Sequence, residues 1–146
     1  MKLSTQTIDY LESIPLDKFI NSNIIITDLK KVIYTSTFSK SNLYISKLVS
    51  NDLLDLINYW NKMPISEDLF YLKNNPNMRL TINDTEIYDS LIIFPLYFNN
   101  NISGLSIFFR YTGTYTDKSL KAPNTIRKWI MKFMGNEIFP INKNIF

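Results

Sequence analysis

The sequence predicts an α+β domain in which a central antiparallel sheet of five or six strands is flanked by helices. Two observations lead to this fold class. Apolar residues recur at helical spacing in three segments, one near each end of the chain and one near its middle. Between these segments lie short apolar or alternating runs separated by turns, which is typical of antiparallel strands. At 146 residues the chain fits a single domain, with a tail from about residue 136 to which no element is assigned.

The first predicted elements are a short helix and a β-hairpin. Ser4 or Thr5 can cap the helix, and Pro15 either ends it or interrupts it before one more turn at 16–20. Two strands, at 23–28 and 32–36, follow on either side of a short polar turn, an arrangement that predicts a hairpin. The first strand has an uninterrupted apolar run, which indicates that both of its faces are covered.

The middle of the chain predicts a helix followed by a strand. Ser50 or Asn51 can cap the helix, and Pro64 lies just beyond its end. Residues 74–77, which are Asn, Asn, Pro and Asn, predict a turn. Residues 78–82 alternate like a half-buried strand.

The clearest signal is a second hairpin. Two apolar strands, at 90–98 and 102–110, flank an asparagine turn at 99–101, and asparagine tolerates a positive φ. Pro95 cannot donate a hydrogen bond to a ladder, so it marks a bulge or an edge-facing site. Gly104 likewise marks a bulge or a close approach of two backbones.

The last predicted element is an amphipathic helix that begins near Pro123 and has Gly135 as its C′ residue. Its apolar stripe can pack on the sheet of its own chain, and it can also pair with the first helix of a second copy. Both uses can hold together if the stripe is wide. The candidate dimer-interface residues are Ile8, Leu11, Ile126, Trp129, Ile130 and Phe133.

Composition limits the chemistry that the chain can perform. It contains no cysteine and no histidine, which excludes Ser–His and Cys–His catalysis and makes us expect no metal and no cofactor. No nucleophile, base and orienting group occur in a recognisable constellation, so we expect no enzymatic activity. The net charge is +3, but the basic residues are scattered, so we expect no direct nucleic-acid binding. No apolar run reaches the length of a membrane span and no signal peptide is recognisable, so we expect a cytoplasmic protein.

The order of these elements, together with four stretches of the sequence, resembles a GAF domain, a relative of PAS. More narrowly, it resembles the C-terminal GAF-like domain of the stage V sporulation protein T family of transcription factors. The stretches are the helix ending near Ile14, the run 24–28 with its basic turn and next strand, residues 91–96 with 102–105, and 126–137. That family carries a DNA-binding domain ahead of this region, which we expect to be absent because the first helix starts almost at Met1. The resemblance implies sensing, dimerisation through the terminal helices, and a pocket over one face of the sheet.

We expect that pocket between the sheet and residues 35–48. Its candidate ligand-binding residues are Ser36, Tyr44, Arg79, Tyr88 and Phe94. Arg79 can meet an anionic ligand through its fork of donors, or it can be an exposed strand residue in solvent. Tyr44 and Tyr88 can instead lie at the edge of the core with their hydroxyls in water.

Three functional hypotheses follow. The first is a non-catalytic regulatory domain that binds a small molecule or a regulatory protein and forms a homodimer, with a role in transcription regulation or sporulation that the resemblance implies. The second is a structural interaction module whose pocket is filled by its own side chains, with Phe94, Phe98 and Phe108 as the plugs. The third is a regulator that titrates a full-length DNA-binding homologue by forming heterodimers.

Overall fold

A computed structural model describes residues 3–15, 21–29, 32–36, 51–64, 69–78, 88–98 and 100–138. Of these, the backbone alone is described for 51–54, 75–78, 88 and 134–138. The described residues form three α-helices and five β-strands, so the predicted α+β class is confirmed. In chain order the elements are α1 (Thr5–Ser13), β1 (Asn23–Asp28), β2 (Val32–Thr35), α2 (Asn51–Asn61), β3 (Tyr71–Met78), β4 (Tyr88–Phe98), β5 (Asn101–Arg110) and α3 (Lys121–Ile138).

The five strands form one antiparallel sheet in the order β2-β1-β5-β4-β3. β5 therefore lies in the middle, paired with β1 on one side and β4 on the other. This arrangement is consistent with a GAF/PAS-like sensor fold.

Both faces of the sheet are covered, as the continuous apolar run of β1 predicts. Ile24, Ile25 and Ile26 have no exposed surface. Ile24 and Ile26 belong to the core that includes α1 and α3, whereas Ile25 belongs to a second core that includes Trp60 of α2. Each such buried isoleucine contributes about 1.5–3 kcal/mol to the stability of the fold.

α1 begins at a polar cap. The Ser4 hydroxyl accepts a 3.0 Å hydrogen bond from the backbone N–H of Thr7, and the two side-chain hydroxyls share a second bond of 2.7 Å. Leu11 is 1% exposed, and it fixes the helix on the sheet. The predicted cap and the observed start of the helix agree.

The β4–β5 hairpin contains the turn and the irregularity that the sequence predicts. Asn100 has a φ of 65°, in the left-handed region that asparagine tolerates. Leu96 pairs with Gly104 but Tyr97 pairs with Ile102, so Ser103 is the extra residue of a β-bulge next to Gly104. The Tyr97 N–H at this bulge donates to the thioether sulfur of Met131 in α3 at 3.4 Å.

The turn predicted at residues 74–77 is wrong. The sequence predicts a turn at 74–77 and a strand at 78–82, whereas the structure has β3 at Tyr71–Met78, and 79–82 lie outside the described residues. β3 is at the edge of the sheet, where polar side chains and proline are tolerated because one side of the strand forms no ladder. Its pairing with β4 is irregular between Asn74 and Met78, which is where Pro76 lies.

The predicted end of the last helix is also wrong. Gly135 lies within α3, which continues to Ile138. A glycine inside a helix costs only about 1 kcal/mol relative to alanine, so it does not end a helix whose inner face is anchored on the sheet. Ile126 and Ile130, at 4% and 0% exposure, provide that anchor.

Within the described ranges, no helix combines the length and apolar character that crossing a membrane requires.

Candidate functional site

Three aromatic side chains form a partly exposed group where α1 and α3 meet. The ring centres of Tyr10 and Phe133 are 5.4 Å apart, those of Trp129 and Phe133 are 5.4 Å apart, and those of Tyr10 and Trp129 are 6.1 Å apart. Trp129 is 38% exposed and the other two are half-buried. We call these three residues the terminal-helix surface.

The two helices beside this surface carry opposite charges. α1 has two exposed carboxylates, Asp9 and Glu12, and no basic residue. α3 exposes three lysines, Lys121, Lys128 and Lys132. Lys132 places its Nζ 4.6 Å from the Trp129 ring centre, a cation–π contact at the edge of the aromatic group.

Burial divides the predicted interface residues into two sets. Leu11, Ile126 and Ile130 are 1%, 4% and 0% exposed and pack in the core of their own chain. Ile8 is half-buried against that core. Trp129 and Phe133 lie on the outer side of the helix pair, so one part of the apolar stripe is in the core and another part is partly exposed.

Tyr10 is a member of the surface that sequence reasoning missed. It lies next to Leu11 in α1, at the margin of the apolar stripe, and its ring packs edge-on against Phe133. Partial burial there raises the pKa of the Tyr10 hydroxyl. An aromatic residue at the margin of an amphipathic stripe is the signal that could have identified it.

The predicted ligand-binding residues are only partly described. Tyr44 and Arg79 lie outside the described residues, and Tyr88 is described by its backbone alone, paired with Met78. Ser36 is exposed at the end of β2, where its hydroxyl accepts a 2.9 Å hydrogen bond from the Ile24 N–H. Phe94 is 2% exposed in β4.

The structure does not bring the two fully described candidates together. Strands β1 and β5 lie between β2, which Ser36 follows, and β4, which carries Phe94. Phe94 packs in the core on the side of α1 and α3. That these five residues form one pocket stays a prediction.

Sequence reasoning also missed a buried arginine on the inner face of α3. Arg127 has no exposed surface; its Nη2 donates to the Asn124 side-chain oxygen at 2.5 Å, and its guanidinium carbon lies 5.2 Å from the centre of the Phe94 ring. Phe94 in turn packs against Phe108 and Phe70, with ring centres 5.9 Å and 6.0 Å away. Arg127 lies one residue after Ile126 and three before Ile130, and this spacing predicts that it is on the inner face of the helix.

Comparison with known proteins gives a likeness of fold. No protein-family model matches the chain, and no curated protein matches it. A solved structure from Sinorhizobium meliloti 1021, the domain of a putative two-component sensor histidine kinase protein, aligns with a TM-score of 0.56 at 11% sequence identity. The alignment covers 97% of this chain and 97% of that domain, so the likeness extends over the whole fold.

Proposed function

We propose that this chain is a non-catalytic sensor domain that forms a homodimer through its terminal helices and binds a small molecule or a regulatory protein. Two findings support the proposal. The fold is similar, over nearly its whole length, to the domain of a sensor histidine kinase. The chain also has no histidine or cysteine with which to build the commonest catalytic sites.

The observation that carries the homodimer is the terminal-helix surface. A tryptophan that is 38% exposed, packed between two half-buried aromatic rings, has the composition of an interface core. Tryptophan and tyrosine are also enriched among the residues that contribute most to binding. We infer that a second copy of the chain covers this surface.

The charges beside the surface favour a second copy over an unrelated partner. In a two-fold pairing, the acidic α1 of one copy can face the basic α3 of the other, and the same contact then occurs twice. Asp9 and Glu12 would lie opposite exposed lysines such as Lys128 and Lys132. Complementary charges of this kind fix orientation and increase the rate of association.

The finer assignments rest on the sequence resemblance. We propose that the domain belongs with the GAF-like domains of the stage V sporulation protein T type and acts in transcription regulation. The proposed ligand site is the pocket formed by Ser36, Tyr44, Arg79, Tyr88 and Phe94. A regulatory protein remains the other candidate ligand.

Sedimentation velocity of the wild-type chain and of Trp129→Glu tests the homodimer. We expect a wild-type dimer at about 50 µM, since standard interfaces of this kind reach micromolar or tighter affinity. Trp129→Glu places a carboxylate at the centre of the surface and should yield a monomer with an unchanged circular dichroism spectrum. The matched control is Tyr59→Glu, because Tyr59 is 60% exposed on α2, and this variant should remain a dimer.

A wild-type chain that sediments as a monomer at several hundred micromolar would refute the homodimer. A dimer that persists in Trp129→Glu would place the interface on another face. Loss of the dimer in both glutamate variants would mean that the introduced charge acts non-specifically.

The burial of three phenylalanines favours a second candidate, an interaction module whose pocket is closed. Phe94, Phe98 and Phe108 are 2%, 7% and 0% exposed, all in the core on the side of α1 and α3. Thermal-shift screening against a small-molecule library separates the two candidates. A ligand at 100 times its dissociation constant adds about 2.7 kcal/mol of stability to a sensor with an open pocket, whereas a closed module shows no shift with any compound.

A further inference from the structure

The loop that connects β5 to α3 crosses one end of the sheet and is held there by polar side chains. We call residues 111–116 the sheet-end loop. Within it, the Tyr115 side chain is only 2% exposed, and its hydroxyl shares a 2.7 Å hydrogen bond with the hydroxyl of Ser22, which precedes β1. Arg110 packs on the ring, with its guanidinium carbon 4.2 Å from the ring centre, and donates to the Thr114 carbonyl at 2.6 Å.

The edge strand β3 is attached to this loop through one side chain. The Asn74 amide nitrogen donates to the Tyr115 carbonyl at 2.8 Å, and the Tyr115 N–H donates to the Asn74 amide oxygen at 3.0 Å. The side chain of Asn74 therefore pairs with the backbone of Tyr115 as a neighbouring peptide group would. Because β3 has a ladder with β4 alone, this pair fixes the edge strand at a point outside the sheet.

The next strand, β4, is attached to the same loop two residues earlier. The Ser90 hydroxyl donates to the Gly113 carbonyl at 2.8 Å, and the Gly113 N–H donates to the Asp89 carboxylate at 2.8 Å. Gly113 has a φ of 90°, a conformation that side-chain-bearing residues rarely adopt. In this conformation the loop is hydrogen-bonded to β3 and β4 together.

A continuous set of hydrogen bonds extends from the loop into α3. The Thr116 N–H donates to the Ser119 hydroxyl at 2.7 Å, and the Leu120 N–H donates to the Thr116 carbonyl at 3.1 Å. The Asn124 N–H then donates to the Leu120 carbonyl at 3.1 Å, inside the first turn of the helix. These hydrogen bonds connect Thr116, the residue after Tyr115, to the first turn of α3.

We infer that the Asn74–Tyr115 pair couples the edge strand β3 to the start of α3, so that displacement of β3 loosens the first turns of this helix. Contiguous packed and hydrogen-bonded groups are the physical means by which such coupling passes between elements. The inference goes beyond the proposed function and does not depend on it, since it requires neither a ligand nor a dimer. It identifies β3 as the strand from which a change in the sheet reaches a helix of the terminal-helix surface.

Amide hydrogen exchange of the full chain, followed by mass spectrometry, tests the coupling with the variant Asn74→Ala. Two hydrogen bonds are lost, so exchange in the sheet-end loop and in residues 121–128 of α3 should accelerate by roughly tenfold. Exchange at residues 55–61 of α2, which packs on the other face of the sheet, should stay within about threefold of the wild-type rate, because opening of that helix leaves the Asn74–Tyr115 pair intact. If Asn74→Ala fails to fold, Asn74→Gln retains both amide groups on a side chain longer by one methylene and should show the same pattern at a smaller size.

The matched control is Lys73→Ala, the exposed neighbour of Asn74 on the same strand. It should leave exchange in the loop and in α3 at the wild-type rate. The inference is overturned if Asn74→Ala accelerates the loop but not residues 121–128, because the loop then moves independently of the helix. It is equally overturned if residues 55–61 of α2 accelerate as much as residues 121–128, or if Lys73→Ala has the same effect.

Discussion

Arg127 of α3 lies over the ring of Phe94 in β4, with its guanidinium carbon 5.2 Å from the ring centre and with neither side chain more than 2% exposed. An arginine is rarely buried to this extent, because removing its charge from water is costly unless other groups compensate. Here the guanidinium of Arg127 contacts both the face of the Phe94 ring and the side-chain oxygen of Asn124. The contact joins the C-terminal helix to the sheet at the same phenylalanine that the sequence suggested as a ligand-binding residue.

Arg127→Ala should therefore lower the free energy of unfolding by about 2–4 kcal/mol, because it removes buried packing and the contact with Phe94 and leaves a cavity. Urea denaturation followed by circular dichroism measures the change. Lys128→Ala, on the exposed side of the same helix, should change the stability by less than about 0.5 kcal/mol. Equal effects of the two substitutions would contradict a structural role for the buried guanidinium.

Ser4→Ala should cost about 1 kcal/mol, because the Thr7 N–H loses its acceptor at the start of α1. The hydroxyl of Thr7, which is itself fully buried, also loses its partner. The substitution Thr5→Ala is the control, since Thr5 is exposed at the first residue of the helix. Thermal unfolding would disprove the capping role if both variants melted at the wild-type temperature.

Asn100→Ala should destabilise the β4–β5 hairpin by about 1 kcal/mol, because φ at this position is 65° and a Cβ without a compensating polar group disfavours it. Asn100→Gly should be within about 0.5 kcal/mol of wild type, since glycine adopts this φ without steric cost. Comparing the two variants separates the effect of the backbone conformation from the effect of the side chain. Chemical denaturation measures the free energy of unfolding of both. A glycine variant as unstable as the alanine variant would show that the asparagine side chain, and not the sign of φ, determines the effect.

We expect the free energy of unfolding to depend on pH in the alkaline range because the Tyr115 hydroxyl is buried. Burial raises the pKa of its hydroxyl to about 12, against the contrary effects of the Ser22 hydrogen bond and of Arg110. In the unfolded chain a tyrosine has a pKa of about 10, so between pH 10 and 12 the folded state keeps a proton that the unfolded state has lost. The free energy of unfolding therefore falls as pH rises through this window, by up to about 1.4 kcal/mol per pH unit for this one proton.

Tyr115→Phe should be about 1 kcal/mol less stable than wild type at pH 8, since the hydrogen bond with Ser22 is lost. The stabilities of the two proteins should then converge between pH 10 and 12, because the variant has no proton to lose at this position. Urea unfolding at pH 8, 10 and 11 measures both slopes, and Tyr59→Phe, at an exposed position, should retain the wild-type slope. Parallel curves for wild type and Tyr115→Phe would show that Tyr115 does not cause the alkaline loss.

The sequence was informative about elements buried on both faces. β1, β4 and β5 need apolar residues at nearly every position, so their runs differ in composition from the surrounding turns. β3 is an edge strand that contains two asparagines and a proline between Lys73 and Asn77, and this composition is that of a turn. Only its pairing with β4, the next strand along the chain, makes it a strand.

The candidate site was predictable to a smaller extent, because contacts between residues far apart in the sequence determine which of its side chains are exposed. Helical periodicity places Trp129 on the apolar stripe, but it does not state how much of that stripe the sheet itself occupies. Leu11 and Ile130 face the sheet, and the outer margin of the stripe remains partly exposed. The polar contacts of Asn74 are with a residue 41 positions away, and no local pattern predicts such a partner.

The position of β5 in the sheet has a consequence for the order in which the chain is made. Translation produces β1 and β2 early, yet the strand that joins their hairpin to β4 is the last of the five to be synthesised. Until residue 110 has left the ribosome, the nascent chain holds a β1–β2 hairpin with one open side and no third strand to close it. The sheet therefore cannot be completed before β5 has been synthesised, and a chain released before β5 would present the apolar run of β1, residues 24–26, unpaired on one side to other chains.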